Sequence, residues 1–128
     1  LIVDTSALVA VLNSEPEALP FLQKMSTEPV KISAVTLFEF SMVIDRYKRR
    51  EASLGADRLL AMIEAEVVSV DVEAARGARL AYATYGKGNH PARLNFGDCF
   101  AYALAKETGE PLLFKGDDFA RTDVRSAV

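Results

Sequence analysis

Four short apolar runs limit what this chain can become: Leu1-Ile2-Val3, Val30-Lys31-Ile32, Val67-Val68-Ser69-Val70 and Pro111-Leu112-Leu113-Phe114. None is long enough to be a helix, and the stretches between them carry helical periodicity and helix caps. Short apolar strands alternating with helices predict an α/β sandwich whose central sheet is mainly parallel and is flanked by helices. The expected helices are one through Ala7–Leu12 and a second opened by the capping-box spacing Ser14-Glu15-Pro16-Glu17 and reaching Met25. A third is capped by Ser33 and reaches the basic run Lys48-Arg49-Arg50, and a fourth is capped by Ser53. A fifth is capped by Asp71 and lasts to Tyr85, and a sixth is capped by Asn95 and stopped by Gly109. Gly86 to Pro91 reads as a loop, Gly116-Asp117-Asp118 as a turn and Val124 as part of a short last strand.

The 128 residues make one domain, and half of them are hydrophobic, enough for a core without disulfides. No linker, repeat or low-complexity tract divides residues 1–128. A single cysteine, Cys99, gives no internal disulfide. No apolar run spans a bilayer and no signal-peptide pattern is present, so the expectation is a cytoplasmic protein without membrane contact. The net charge of -3 argues against coating nucleic acid by bulk electrostatics, but not against a nuclease whose carboxylates face a divalent cation.

Acidic residues sit where ligands bind in such folds. Asp4 directly follows the first strand, and Asp117 and Asp118 follow the last. In open α/β sheets the ligand crevice lies beyond the carboxyl ends of strands. Asp4 is equally placed to cap the helix after it, and Ser6 to support a carboxylate or to cap that helix. Glu39 falls on a helix that is apolar almost all round, with Val35, Met42 and Val43 as helical neighbours; a carboxylate there needs a partner, a cation or a route to the rim, and Arg46 is one available base. Asp98 lies in the first turn of the helix capped by Asn95, where the dipole favours its charge. Hard divalent cations take oxygen ligands, and Mg²⁺ takes one or two carboxylates while keeping several waters. The series of strand-end Asp, helix Glu, helix-start Asp and strand-end Asp therefore reads as a metal-binding set.

Other chemistries lack their residues. One His, His90, rules out a two-histidine ribonuclease and, with one Cys, starves a zinc site. There is no Walker A loop and no GxGxxG. A phosphatase or phospho-relay domain using Asp4 stays open, although the second Asp expected two residues on is Ser6. Basic residues that could meet RNA are Lys87 and Arg93, in the loop preceding Asp98, the run Arg46-Tyr47-Lys48-Arg49-Arg50, and Arg121 and Arg125. Each also reads as an ordinary connector, a solvated helix end or a salt-bridge partner.

The segments LIVDTSALVAVLNSEPEA, ISAVTLFEFSMVI and LNFGDCFAYALAKETGEPLLFKGDDFARTDV, in that order, resemble the VapC toxins of the PIN-domain family. The resemblance covers nearly the whole chain. It implies a Mg²⁺- or Mn²⁺-dependent endoribonuclease, with RNA as substrate and a VapB-type antitoxin as partner, acting as a homodimer. It assigns metal binding to Asp4 and Asp98 and puts Glu39 in the same pocket. It leaves the fourth acid between Asp118, favoured for its Asp-Phe pair, and Asp117. A PIN-like binding module with little catalysis is the competing reading. An antitoxin is expected to use two handles: an Arg or Lys inserted among the acids, and apolar surface on the early helices at Leu8, Val11, Leu12, Phe21 and Leu22, residues that also read as core.

Overall fold

The computed structural model describes all residues 1–128. The chain runs β1 (Ile2–Val3), α1 (Thr5–Leu12), α2 (Ala18–Thr27), β2 (Lys31–Ser33), α3 (Ala34–Arg46), α4 (Arg50–Met62), β3 (Glu66–Val68), α5 (Val72–Tyr85), α6 (Phe96–Thr108) and β4 (Leu112–Leu113), then a 3-10 turn at Phe119–Arg121. The sheet is wholly parallel, in the order β3-β2-β1-β4. The expected α/β sandwich is thus the fold adopted.

The two-residue alternation of a strand divides the core. Val3 and Leu113 point to one face, where they pack with Ile32 of β2 and with Leu8, Phe21, Phe40 and Leu59 from α1 to α4. Ile2 and Leu112 point to the other, with Ala78, Ala81, Ala101 and Leu104 from α5 and α6. Phe40 is among the largest fully buried side chains, and truncating it to alanine would cost about 3–5 kcal/mol. Its neighbour Glu39 points elsewhere, so α3 divides its faces between core and cleft.

From β1 the chain moves outward through β2 to β3, then crosses back to place β4 on the other side of β1. The crevice between β1 and β4 is the switch point of the sheet, where such folds bind ligands. Asp4 ends one of these strands, and the segment from Lys115 to Asp118 follows the other.

Several local expectations are corrected. Ser14 does not cap α2. It adopts a left-handed φ of 53° and closes α1 in a Schellman arrangement, with Ser14 N–H bonded to Val11 O and Glu15 N–H to Ala10 O. The second helix then starts only at Ala18, after Glu17, with no side-chain cap. The basic run is not one helix end: α3 stops at Arg46, Lys48 turns with φ 50°, and Arg49 precedes the first residue of α4. Ser53 therefore lies inside α4. β3 starts one residue earlier than expected and stops at Val68, leaving Val70 outside it. Val124 forms no strand; Ser126 pairs with Leu112 in an isolated parallel bridge. Of the early apolar residues, Leu8 and Phe21 are buried, and Val11, Leu12 and Leu22 pack against the same core. The apolar handle expected on these helices is thus mostly interior. No helix is long and apolar enough to cross a membrane.

Candidate active site

A cleft of about 430 Å³ opens at the switch point, lined by Asp4, Glu39, Asp98 and Asp118, by Thr5, Ser6 and Asn95, and by Arg46 and Lys115. Its floor and walls include Val9, Met42, Val43 and Phe119. Four carboxylates, remote in sequence, share one cavity.

Asp4 is at once a helix cap and a cleft residue. Its Oδ2 accepts from Ser6 N at 2.9 Å and from Ser6 Oγ at 2.6 Å, which fixes the start of α1. Its Oδ1 is buried and has no hydrogen-bond partner. Only 3% of Asp4 is exposed, and that burial raises its pKa; the Ser6 bonds pull it down, and the charge of Glu39 pushes it up again. The Ser6 hydroxyl also accepts from Lys115 N at 3.0 Å, tying the segment after β4 to the start of α1.

Glu39 is held from two sides. Its Oε1 accepts from Thr5 Oγ1 at 2.5 Å. Its carboxylate lies over Gly97, where an added Cβ would overlap Oε2. Glycine at that position leaves room for the Glu39 carboxylate at the start of α6. Asp98 sits in a capping box: Asn95 Oδ1 accepts from Asp98 N at 2.9 Å, and Asp98 Oδ2 accepts from Asn95 N at 2.9 Å. The cap does not keep it acidic. Burial pushes its pKa up to about 7, helped by the charges of Asp4, Glu39 and Asp118 and opposed by the Asn95 backbone bond. Asp118 is exposed and stands just before the 3-10 turn, with Phe119 buried beneath it.

The residues singled out from sequence separate cleanly. Asp4, Glu39, Asp98 and Asp118 come together, whereas Asp117 is exposed and does not line the cleft. Lys87 and Arg93 are also exposed and do not line it. Their loop instead braces the entry to α6: Asn89 Nδ2 donates to Tyr82 O, Lys87 N to Leu94 O, and Arg121 to Pro91 O. Lys115 was missed; nothing in its local sequence sets it apart from other strand-end lysines. The role of Thr5 was missed as well, because the hydrogen bond that reveals it spans 34 residues.

The all-oxygen donor set, the crowding of four acids and the unpartnered Asp4 Oδ1 fit a hard divalent cation. No three of these side chains close into a ready-made ligand cage.

Comparison with known proteins agrees with this fold. The PIN domain family matches residues 1–125. Ribonuclease VapC42 of Mycobacterium tuberculosis is 46% identical over 129 aligned positions, covering 99% of this chain and 98% of the relative. Ribonuclease VapC of Mycolicibacterium smegmatis is 45% identical, covering 97% of each. Among solved structures, VapBC2 from Rickettsia felis, bound to a DNA fragment from its promoter, superposes with a TM-score of 0.77 at 15% identity, over 98% of this chain and 94% of that one, a likeness of fold. With its acids at the sheet's switch point and relatives of this identity along its whole length, the chain belongs to the PIN domain family and, within it, to the VapC ribonucleases.

Proposed function

We propose that this chain hydrolyses RNA phosphodiesters endonucleolytically with Mg²⁺ or Mn²⁺ held by Asp4 and Asp98, and that Glu39 and Asp118 complete the acidic wall. The observation that carries the reading is the unpartnered Oδ1 of Asp4 in a cleft of four carboxylates. A divalent cation bound there supplies a Lewis acid for the phosphate oxygen and lowers the pKa of a water. The chain's own residues supply position. Ser6 holds Asp4 through Oδ2 and leaves Oδ1 free; Thr5 and Gly97 hold Glu39; Asn95 pins Asp98. Near pH 7 Asp98 is poised between its protonated and charged forms, so the site's charge responds to what enters it. Phosphoryl transfer to Asp4 is the weaker reading, since Ser6 stands where the second Asp of such a site is expected.

The same reading extends to partners. A VapB-type antitoxin would neutralise the pocket by placing an Arg or Lys among Asp4, Glu39 and Asp98, because a guanidinium matches crowded carboxylates. A homodimer would cover part of the apolar surface left exposed at Leu19, Phe38, Leu80 and Phe96. The decisive experiment incubates the purified protein with total RNA and Mg²⁺ or Mn²⁺ and maps the ends. Internal cuts that vanish with EDTA and in Asp4→Asn support the reading; cuts unchanged by both would sink the metal assignment.

A further inference from the structure

Four residues of α3 line the cleft: Glu39, Met42, Val43 and Arg46. Their i, i+3, i+4, i+7 spacing makes one stripe along the helix. Glu39 stands at the acidic centre and Arg46 at the outer end, about 10 Å away along the helix axis at 1.5 Å per residue. Met42 and Val43 form an apolar strip between them.

The cleft contains two cations in opposite states. Lys115 is committed, paired with Glu15 and with Glu17 in the connection between α1 and α2. Arg46 is exposed and takes part in none of the protein's ion pairs or side-chain hydrogen bonds. It does not fold back on Glu39, whose Oε1 is bonded to Thr5 and whose other oxygen lies against Gly97. As the last residue of α3, it is favoured in place by the helix dipole without needing a carboxylate.

We propose that Arg46 is a substrate-binding residue. Its guanidinium takes a non-scissile phosphate of an unpaired RNA strand that runs outward along α3 from the acidic centre, while Met42 and Val43 pack against the nucleotide between. The inference rests on the ribonuclease reading and adds to it a phosphate-binding residue and the path of the strand. A cleft of four acids repels a polyanion, so an uncommitted cation inside it meets a need that bulk charge at -3 does not. Arginine suits the task because it forms paired, charge-assisted bonds to phosphate oxygens. An apolar strip beside it favours bases that are free to splay out, which duplex RNA does not offer.

The test uses single-stranded oligoribonucleotides cut by the wild-type protein, each with one neutral methylphosphonate at a successive position from the cleavage site. Wild type, Arg46→Ala, Arg46→Lys and the control Arg49→Ala are compared; Arg49 lies over the Tyr47 ring and outside the cleft. Arg46→Ala is expected to raise KM about tenfold, as removal of a charged hydrogen bond does, with kcat changed far less. The salt slope of binding should fall by about 0.7, the share of one single-strand phosphate that is no longer neutralised. Arg46→Lys should recover part of the KM, and Arg49→Ala should match wild type. One methylphosphonate position should weaken wild type about as much as the alanine variant and leave that variant unaffected. If Arg46→Ala keeps the wild-type KM and salt slope, or stays sensitive at that same position, the assignment is wrong while the nuclease reading stands. A wild-type protein that cuts no RNA overturns both.

Discussion

Asp98 and Glu110 stand at the two ends of α6, and the fold treats their carboxylates in opposite ways. At the start of the helix, burial and three neighbouring acids push Asp98 up to about 7. Just past its end, Glu110 pairs with Lys31, and that bond holds its pKa below the usual carboxylate range. One end is electrostatically satisfied and supports the fold when charged; the other gathers like charges in a cleft and works against the folded state when charged. Crowding of that kind persists where a ligand supplies the missing opposite charge, and so the strained end of the helix is the functional one.

The comparison breaks most visibly if Asp98 is neutralised. Asp98→Asn keeps an oxygen that can accept from Asn95 N, so the cap survives while the charge goes. Ribonuclease activity should fall by at least about a hundredfold, the scale seen when a preorganised electrostatic group is removed. The melting temperature without divalent ions should rise at pH 8, because the repulsion of Asp98 by Asp4, Glu39 and Asp118 is relieved. Wild-type cleavage by this variant, or a lower melting temperature, would show that the N-terminal end of α6 is not the strained one.

Titration sharpens the contrast. The folded protein holds the Asp98 proton up to about pH 7, whereas the unfolded chain releases it near 4. Between those values the folded state binds more protons, so charging Asp98 costs the metal-free protein stability as pH rises from 4 to 7, on the order of 4 kcal/mol at most. Glu110 runs the other way, its contribution present above its unfolded pKa and lost as pH falls through the lower folded value. Chemical denaturation in EDTA across pH 4 to 8 should resolve the downward trend in wild type and make it shallower in Asp98→Asn, where buried Asp4, whose pKa is also raised, still contributes. Mn²⁺ at pH 8 should restore stability, by about 2.7 kcal/mol at a hundred times its dissociation constant.

The satisfied and strained regions also differ in how much of them the sequence announces. Strand ends and caps are local: Asp4, Asp71 and Asn95 with Asp98 all stand where their neighbours predict, since a cap is decided within four residues. The pattern failed where two local signals competed. Ser14 fits a cap for α2, but the end of α1 claimed it first for a left-handed turn. Which of two adjacent aspartates faces the cleft depends on the turn before buried Phe119; spacing alone did not separate Asp117 from Asp118, and only the family resemblance, through the Asp-Phe pair, favoured Asp118. The opposite states of Lys115 and Arg46 depend on Glu15, Glu17, Thr5 and Gly97, residues brought together only by the crossover of the sheet.

Gly97→Ala probes the strained end without touching a charge. The added Cβ would overlap the Glu39 carboxylate and force it away from Thr5. The displaced group is the far end of a flexible side chain, so the fold should tolerate the change. Activity should fall by about ten- to a hundredfold, in line with an ångström-scale misplacement of a working group. Unchanged kinetics alongside a displaced Glu39 would remove Glu39 from the chemistry.

The smallest effect belongs to the satisfied end. Glu110→Gln removes the charge that Lys31 faces and leaves a side chain of nearly the same shape. Partly exposed ion pairs gain little from Coulomb attraction in high dielectric and lose side-chain freedom in forming. The melting temperature at pH 7 should therefore drop by no more than about 3 °C, and less still in high salt, which screens the pair. RNA cleavage should not change, because the helix separates this pair from the cleft by its thirteen residues. The informative quantity is the ratio of the two responses. Asp98→Asn should lose activity and gain stability, and Glu110→Gln should keep activity and lose a little stability. A Glu110→Gln variant that lost cleavage at full stability would mean that charge at the far end of α6 reaches the active site, and the two ends could no longer be treated as independent.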